Sequence, residues 1–348
     1  MAISRRDFVK LAGMTAVGVA MDPGTLWGHE KNVARAQAPV VGSSNVGNNQ
    51  TAGSKAKVYF TKHIDAKSLR RLYDQINEGI YGKVALKLHT GEKNGPYILP
   101  RDMVKALQEY IPNSSIVETN TMYGGDRYTT AGHRDTLRVN GWDFCPVDIM
   151  DEDGGIELPV RGGKYLQEVT MGGHMVNYDS MVVLTHFKGH TMGGYGGSLK
   201  NIAIGCASGQ VGKRQVHGYP LGNMPPVQEW AQMPMQDELM ERMADSGKAT
   251  CDYFGKHIIF LNVMRKMSVD CDCAGTTAAK PTIPDIGMLA STDILAIEQA
   301  SVDLVYSCPE KDRHDLQARI ESRHGLHQLQ AMRDRKMGND QYELISID

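Results

Sequence analysis

Residues 180–206 read SMVVLTHFKGHTMGGYGGSLKNIAIGC, and this stretch decides the fold. Its first part, residues 181–184, is a short run of apolar side chains of the length expected for a buried strand. A Gly-rich turn follows at residues 193–197 and opens a predicted helix that runs to about Cys206. Because strands that alternate with helices build parallel sheets, this stretch predicts an α/β fold.

The same alternation extends in both directions along the chain. Short apolar runs predict further strands at residues 58–61, 84–88, 115–118, 146–150, 258–263 and 286–289. Helical patterns occupy residues 66–80, 129–140, 235–253 and 294–306, and Pro100 marks the start of another helix. We therefore expect a mostly parallel open sheet with helices on both faces, arranged in one or two lobes. The Pro- and Met-rich residues 219–235 interrupt the alternation and are interpreted as a lid or a subunit contact.

The composition argues against two classes of protein. The chain has 38 Lys and Arg against 40 Asp and Glu, so its formal net charge is −2. A nucleic-acid-binding protein shows a basic stripe, and none is present, so we expect no nucleic-acid partner. After the N-terminal region, no segment approaches the length of about 20 apolar residues that a membrane-spanning helix needs. We therefore expect no transmembrane span in the mature protein.

The first 36 residues predict export. Residues 4–10, SRRDFVK, place an arginine pair before an aromatic residue, an aliphatic residue and a lysine. The moderately apolar residues 11–21 are too short to span a bilayer and fit the hydrophobic region of a signal peptide. We predict a twin-arginine signal peptide over residues 1–36, with a small-x-small cleavage site at residues 34–36. The twin-arginine translocase is then a partner, and the protein is periplasmic or otherwise exported; the alternative is an ordinary amphipathic N-terminal helix.

A linker follows the predicted signal peptide. Residues 41–57, VGSSNVGNNQTAGSKAK, are rich in Gly, Ser and Asn and contain almost no apolar side chains. Such a composition is typical of a flexible segment. We assign residues 37–57 to the linker and residues 58–348 to the α/β domain.

The densest polar cluster follows the strand at residues 181–184. Ligands of open parallel sheets bind beyond the carboxyl ends of the strands. Ionisable or metal-ligating side chains follow this predicted strand and those that end at residues 88, 118 and 263. Here His186 and His190 have the residue type that most often ligates metal ions in proteins. Lys188 lies between them and is a candidate catalytic base, if burial lowers its pKa, or a ligand for an anionic substrate. A solvated basic loop is the alternative interpretation.

The Gly-rich turn is a candidate anion site. A turn of this kind that opens a helix exposes backbone N–H groups and the positive end of the helix dipole. The anion-binding candidates are Gly194, Gly196, Gly197, Ser198 and Lys200. The turn has neither the Gly-Lys-Ser/Thr ending of a nucleotide P-loop nor the Rossmann glycine spacing, so nucleotide binding is not supported. A flexible loop without a ligand is the alternative.

Residues 270–273 combine soft and hard metal ligands. Cys271 and Cys273 alternate with Asp270 and Asp272 in the tetrapeptide DCDC. Thiolates favour zinc, copper(I) or iron–sulfur centres, whereas carboxylates favour harder ions. Metal ligation is the preferred interpretation. The alternative is a redox or nucleophilic thiol at Cys271, whose neighbouring aspartates would raise its pKa and weaken it.

Several segments resemble the domain-of-unknown-function 362 family (DUF362). The resemblance lies in residues 180–206, in GKRQVH at residues 212–217, and in residues 259–305 with VDCDC and DILAIEQASVD. Members of this family are often labelled uncharacterised iron–sulfur centre proteins. Many relatives carry a ferredoxin-like insertion between the second and third blocks, but here residues 218–256 contain a single cysteine, Cys251. The resemblance therefore does not imply electron transfer through such clusters.

The candidate residues together suggest a metal-dependent enzyme or redox protein that acts on a small anionic substrate. The cofactor is expected to be a metal ion or an iron–sulfur centre. Its expected ligands are His186, His190, Cys271 and Cys273, with His217 and Asp270 as additional candidates. Two alternatives remain open at this point: a non-catalytic exported protein that binds a small anion or a metal ion, and an electron-transfer protein with a single iron–sulfur centre.

Overall fold

The computed structural model describes residues 55–221, Val227 and residues 236–348. The predicted signal peptide, residues 37–54 of the predicted linker and most of residues 222–235 lie outside this part of the chain. The first strand begins at Ala56, two residues before the expected start of the domain.

A central sheet of eight strands organises the described residues. In chain order the strands are β1 (Ala56–Thr61), β2 (Val84–Lys87), β3 (Ser114–Glu118), β4 (Val147–Ile149), β5 (Gly155–Pro159), β6 (Glu168–Gly172), β7 (Ser180–His186), β8 (Lys188–His190), β9 (Gly194–Gly196), β10 (Ile258–Met264), β11 (Gly287–Ser291) and β12 (Tyr342–Ser346). The order across the central sheet is β12-β1-β11-β10-β7-β2-β3-β4. The pairs β5-β6 and β8-β9 form two separate ribbons.

The central sheet is mostly parallel, as predicted. Strands β10, β7, β2, β3 and β4 pair in parallel, and so do β1 and β12. Only β11 runs antiparallel to both of its neighbours in this sheet. The connection between β10 and β11 contains a 3₁₀ segment, Asp272–Thr277, but no α-helix. A parallel return usually needs a helical crossover, so this connection brings the chain back in the opposite direction.

Nine α-helices accompany the strands in the described part of the chain. They are α1 (Ala66–Asp74), α2 (Arg101–Tyr110), α3 (Thr130–Val139), α4 (Ser198–Gly205), α5 (Gly212–Val216), α6 (Asp237–Phe254), α7 (Ile294–Ser307), α8 (Glu310–Ser322) and α9 (His327–Asp334). The helix expected over residues 66–80 ends at Asp74, and a 3₁₀ turn at Asn77–Gly79 follows, because Asn and Gly are poor helix formers. Among the described helices, none is long and apolar enough to cross a bilayer.

Apolar side chains cover both faces of the sheet. On β7, Val183 belongs to the cluster that packs against α4, α6 and α7, whereas Val182 and Leu184 belong to the cluster that packs against α1 and α2. Strand β10 divides its side chains in the same way. A strand buried on both faces reads as a continuous apolar run, which is why residues 181–184 were recognisable from the sequence. The prediction of helices on both faces is confirmed.

Candidate metal centre and its cavity

A cavity of about 750 Å³ lies at the carboxyl edge of the sheet. Its walls include residues that follow β2, β3, β7 and β10, as expected for an open parallel sheet. Nine residues predicted from the sequence line it: His186, Lys188, His190, Gly196, Gly197, Lys200, His217, Cys271 and Cys273. Three predicted residues, Asp270, Gly194 and Ser198, do not belong to the described lining.

The two thiols of the DCDC segment point at each other. The sulfur atoms of Cys271 and Cys273 are 2.8 Å apart. The hydrogen bond from Cys273 and the positive charges of Lys200 and Lys188 hold the pKa of Cys271 well below its usual range. The same hydrogen bond raises the pKa of Cys273 well above its usual range. The neighbouring aspartates predict a raised pKa for Cys271, whereas the Cys273 hydrogen bond and the cavity lysines together lower it.

A histidine outside the predicted ligand set completes this group. A ring nitrogen of His89 and the two sulfurs all lie within 4.8 Å of one another. His89 Nδ1 is 3.4 Å from Glu118 Oε1, and the ring also forms a hydrogen bond with Cys271. A metal-ligating histidine commonly donates its other N–H to a carboxylate. The only sequence signal for His89 is its position at the carboxyl end of β2.

Glu118 is anchored firmly enough to orient this ring. It accepts hydrogen bonds from Lys87 Nζ at 2.9 Å, from the Thr90 N–H at 2.9 Å and from Thr90 Oγ1 at 3.0 Å. Burial opposes its ionisation, but the charge of Lys87 and the hydrogen bond with His89 hold the pKa of Glu118 well below its usual range. The side chain is therefore a buried carboxylate with a defined direction.

Both ring nitrogens of the predicted ligand His186 contact other groups of the protein. Its Nδ1 lies 2.9 Å from Asp272 Oδ2 and its Nε2 lies 2.7 Å from the Arg265 carbonyl oxygen. Both partners accept, so the two ring nitrogens are engaged as donors and neither is available to a metal. Lys188 Nζ forms an ion pair with the same Asp272 at 2.8 Å. An ammonium in such a pair has no lone pair, so this geometry suits Lys188 to supplying positive charge and not to acting as a base.

The other predicted ligands also lie outside the Cys271–Cys273–His89 group. His190 Nδ1 accepts the Gly193 N–H at 2.9 Å, and burial with nearby Lys200 holds the pKa of His190 well below its usual range. His217 Nδ1 donates to the Lys213 carbonyl oxygen at 2.7 Å. Asp270 pairs with Arg319 at 3.0 Å outside the cavity. His190 and His217 therefore serve as cavity wall, and Asp270 holds a loop.

The Gly-rich turn does meet a carboxylate, but that carboxylate belongs to the protein. The Ser198 N–H at the start of α4 donates to Glu298 Oε1 at 2.6 Å, and Ser198 Oγ donates to Asn262 Oδ1 at 2.7 Å. A Cβ on Gly197 would lie 2.1 Å from Glu298 Oε2, so this position requires glycine. Burial raises the pKa of Glu298 to about 7. In this structure Glu298 therefore occupies the helix N-terminus at which Ser198 is predicted to bind an external anion.

Two other members of the turn have different roles. Gly194 has a positive φ of 79° and packs against Gly325, where a Cβ would lie 2.8 Å from the Gly325 Cα. Gly196 lines the cavity beside Lys200. Of the five residues assigned to anion binding, Gly196, Gly197 and Lys200 reach the cavity, and Lys200 brings the charge.

A second cluster of ligating side chains lies away from the cavity. Asp148, Glu152 and His174 each offer an atom within 4.8 Å of the other two. His174, however, already bonds to Asp148 at 2.7 Å through Nδ1 and to Asp153 at 3.1 Å through Nε2. This cluster is an ion-pair network, and the group at Cys271 remains the better metal candidate.

The fold and the cavity define an α/β protein with a cavity at the carboxyl edge of a mostly parallel sheet. Residues 84–303 match the model of the family described as "Domain of unknown function (DUF362)". The chain belongs to this family, which confirms the resemblance seen in the sequence.

More distant comparisons add little to this assignment. A similar solved structure is the lactate racemase apoprotein from Thermoanaerobacterium thermosaccharolyticum, with 12% sequence identity and a TM-score of 0.38. The match covers 60% of this chain and 50% of that chain, so this chain spans half of that relative's length. No curated protein matches the chain. The chemistry of the cavity must therefore be argued from its own residues.

Proposed function

We propose that this protein is a metal-dependent enzyme that binds one borderline-soft divalent ion and an anionic organic substrate in the same cavity. The ion is held by Cys271, Cys273 and His89 through two sulfurs and one ring nitrogen. Two thiolates and an imidazole form a donor set suited to Zn²⁺. Three protein ligands leave the fourth position of a tetrahedral ion open, as in catalytic zinc sites.

The observation that carries this proposal is the position of His89. One of its ring nitrogens and the two sulfurs of Cys271 and Cys273 lie within 4.8 Å of one another, and Nδ1 of the same ring faces the carboxylate of Glu118. A bound ion would join these three ligand atoms, and Glu118 would fix the ring in the orientation that ligation needs.

The surrounding side chains fit a substrate with both charged and apolar parts. Lys200 Nζ lies 3.7 Å from Cys271 Sγ, where its charge reaches both the thiolate and an incoming anion. Met122, Met192 and Ile204 supply apolar wall. Because the cavity measures about 750 Å³, it has room for an organic anion larger than an inorganic ion. The ion would supply Lewis-acid polarisation of a substrate oxygen next to this charge.

A single ion is favoured over an iron–sulfur cluster. All six cysteines lie in the described part of the chain, and only Cys271 and Cys273 belong to the ligand group. A cluster held by four thiolates therefore lacks two of its ligands here. Among the remaining cysteines, burial raises the pKa of Cys206 to about 12, which suits an inert buried thiol.

Elemental analysis of the purified full-length protein tests the proposal. We expect close to one equivalent of metal per chain, lost in Cys271→Ser and retained in the control Cys145→Ser. Protein that carries no metal after growth with zinc and that binds none on titration would contradict the proposal. Metal bound without turnover of any organic anion would instead support the non-catalytic binding protein.

We further propose that the chain is exported in folded form through the twin-arginine translocase to the periplasm or beyond. The arginine pair at Arg5 and Arg6 and the short apolar stretch after it support this proposal. Export after folding would let the ion bind before transport. A reporter fused to residues 1–54 should be exported, and the double change Arg5→Lys and Arg6→Lys should stop it. Unchanged export of the double variant would contradict this route.

A further inference from the structure

We propose that Lys213 is a nucleophilic amine that captures the carbonyl group of a small oxo acid as an imine. This inference rests on the proposed function and deepens it, because it names the class of organic anion that the cavity accepts. Lys213 is the second residue of α5, is only 6% exposed and lines the cavity.

The lysines of the cavity differ in their partners. Four lysines belong to the described lining, and three of them face a negatively charged group. These three pairs are Lys87 with Glu118 at 2.9 Å, Lys188 with Asp272 at 2.8 Å and Lys200 with the Cys271 sulfur at 3.7 Å. Each of these three amino groups is engaged by a charged partner, so Lys213 is the better candidate for a nucleophile.

Among the described residues, Lys213 donates only to neutral oxygens. Its Nζ bonds to Thr119 Oγ1 and to the Ala207 carbonyl oxygen, the latter at 2.8 Å. The Thr119 hydroxyl gives its own proton to a carbonyl oxygen, that of Gly205 or Ala207, and therefore accepts from Lys213. Two acceptors match the two N–H bonds of a neutral amine and leave its lone pair for a substrate carbonyl.

The environment of Lys213 increases the fraction of its amine that is neutral. Burial lowers the pKa of Lys213 to about 8; Asp151 and Glu118 oppose this shift, and Lys87 and Arg127 add to it. An ordinary lysine has a pKa of about 10.4, so at pH 8 the neutral fraction of Lys213 exceeds that of a surface lysine by roughly 100-fold. Desolvated lysines of this kind are known nucleophiles for carbonyl compounds.

The reaction balances without an oxidant or a reductant. The lone pair of Lys213 Nζ attacks the carbonyl carbon and forms a C–N bond. The carbonyl oxygen then leaves as water with the two amine protons, and a C=N bond remains. Lys200 and Lys188 line the same cavity and supply positive charge for the carboxylate of the oxo acid.

Reductive trapping tests this inference in the full-length protein. The protein is incubated at pH 8 with pyruvate and cyanoborohydride, and the sites of carboxyethylation are quantified by peptide mass spectrometry. We expect Lys213 to be labelled more than tenfold faster than Lys105, an exposed lysine on α2, with a rate that saturates as pyruvate increases. Labelling of Lys213 no faster than that of Lys105, or without saturation, would overturn the inference.

Two variants separate this inference from the proposed metal site. Lys213→Arg should remove the fast label, and the control Lys105→Arg should keep it. Cys271→Ser protein, which we expect to bind no metal, should still label at Lys213. Wild-type protein that binds metal but is not labelled rapidly at Lys213 would contradict only the inference about Lys213. Wild-type protein that is labelled rapidly at Lys213 but binds no metal would contradict only the metal proposal.

Discussion

The Cys271 and Cys273 sulfurs lie 2.8 Å apart in the cavity lining, with a hydrogen bond from Cys273 to Cys271. A tetrahedral ion with metal–sulfur bonds of about 2.3 Å holds two sulfurs roughly 3.8 Å apart. Metal binding would therefore replace the hydrogen bond between the two thiols and move the sulfurs about 1 Å further apart. The two thiols are close to their positions in a metal site before any ion binds.

Replacing one thiol should greatly weaken metal binding. For Cys273→Ser we expect the affinity for Zn²⁺ to fall by at least about 100-fold, because loss of an outer partner alone costs 10–100-fold. Titration against a competing chelator measures the change. Cys145→Ser is the matched control, since Cys145 lies outside the ligand group, and it should bind as the wild type does. Equal affinities of the wild type and Cys273→Ser would contradict the assignment.

The Glu118 carboxylate, which contacts His89, should strengthen the binding of Zn²⁺. Glu118→Gln keeps the shape of the side chain but weakens the hydrogen bond to His89 Nδ1, so we expect Zn²⁺ affinity to fall by about 10–100-fold. Stability should fall too, because Lys87 loses its buried partner. Chelator competition and urea denaturation report the two effects separately. A Glu118→Gln protein that loses stability but binds Zn²⁺ normally would rule out the orienting role.

The Asp272 carboxylate should matter for stability. It is 5% exposed and accepts from both His186 and Lys188. Asp272→Asn leaves these two groups without a charged partner, so we expect the free energy of unfolding to fall by about 3–5 kcal/mol. Urea denaturation measures the change, with the exposed Asp135→Asn as a control that should have little effect. Equal unfolding curves for the two variants would contradict a structural role for this ion-pair cluster.

Glu298 should make stability depend on pH. Burial raises its pKa from an ordinary 4.5 to about 7, so between these pH values the native state binds more protons than the unfolded state. The unfolding free energy of the wild type therefore falls as pH rises through this window, by on the order of 3 kcal/mol. Glu298→Gln keeps an acceptor for the Ser198 N–H and does not titrate, so it should lose this component.

Urea denaturation at pH 4.5 and pH 7.5 checks that expectation. Glu109→Gln, a change of the same type on the exposed face of α2, should retain the pH dependence of the wild type. If the unfolding free energy of Glu298→Gln depended on pH as strongly as that of the wild type, Glu298 would not be the source of this pH dependence.

Local patterns predict most of this fold. The apolar runs at residues 181–184 and 258–263 are strands β7 and β10, and their burial on both faces explains why they read as continuous runs. The direction of β11 was not predictable in the same way. The antiparallel direction of β11 follows from the connection between β10 and β11, which contains no α-helix. Local periodicity predicts that a strand is present but not the direction in which it runs.

The candidate site was less predictable, because its contacts join distant parts of the chain. Cys271 and Cys273 stand out in the sequence, but their partner His89 comes from the loop after β2, far earlier in the chain. The occupant of the α4 N-terminus, Glu298, lies 100 residues from Ser198. The residue type of His186 predicts a metal ligand, and only the structure shows that its ring nitrogens face Asp272 and the Arg265 carbonyl oxygen.

Cobalt(II) titration of the full-length protein tests the central claim most directly, because thiolate-to-cobalt charge-transfer absorption reports sulfur ligation. The proposal predicts a charge-transfer band that saturates at one equivalent and is displaced by Zn²⁺. This band should weaken in Cys271→Ser and Cys273→Ser, shift in His89→Ala and remain unchanged in Cys145→Ser. A titration without a charge-transfer band, or an identical band in Cys271→Ser, would contradict a metal centre at Cys271, Cys273 and His89.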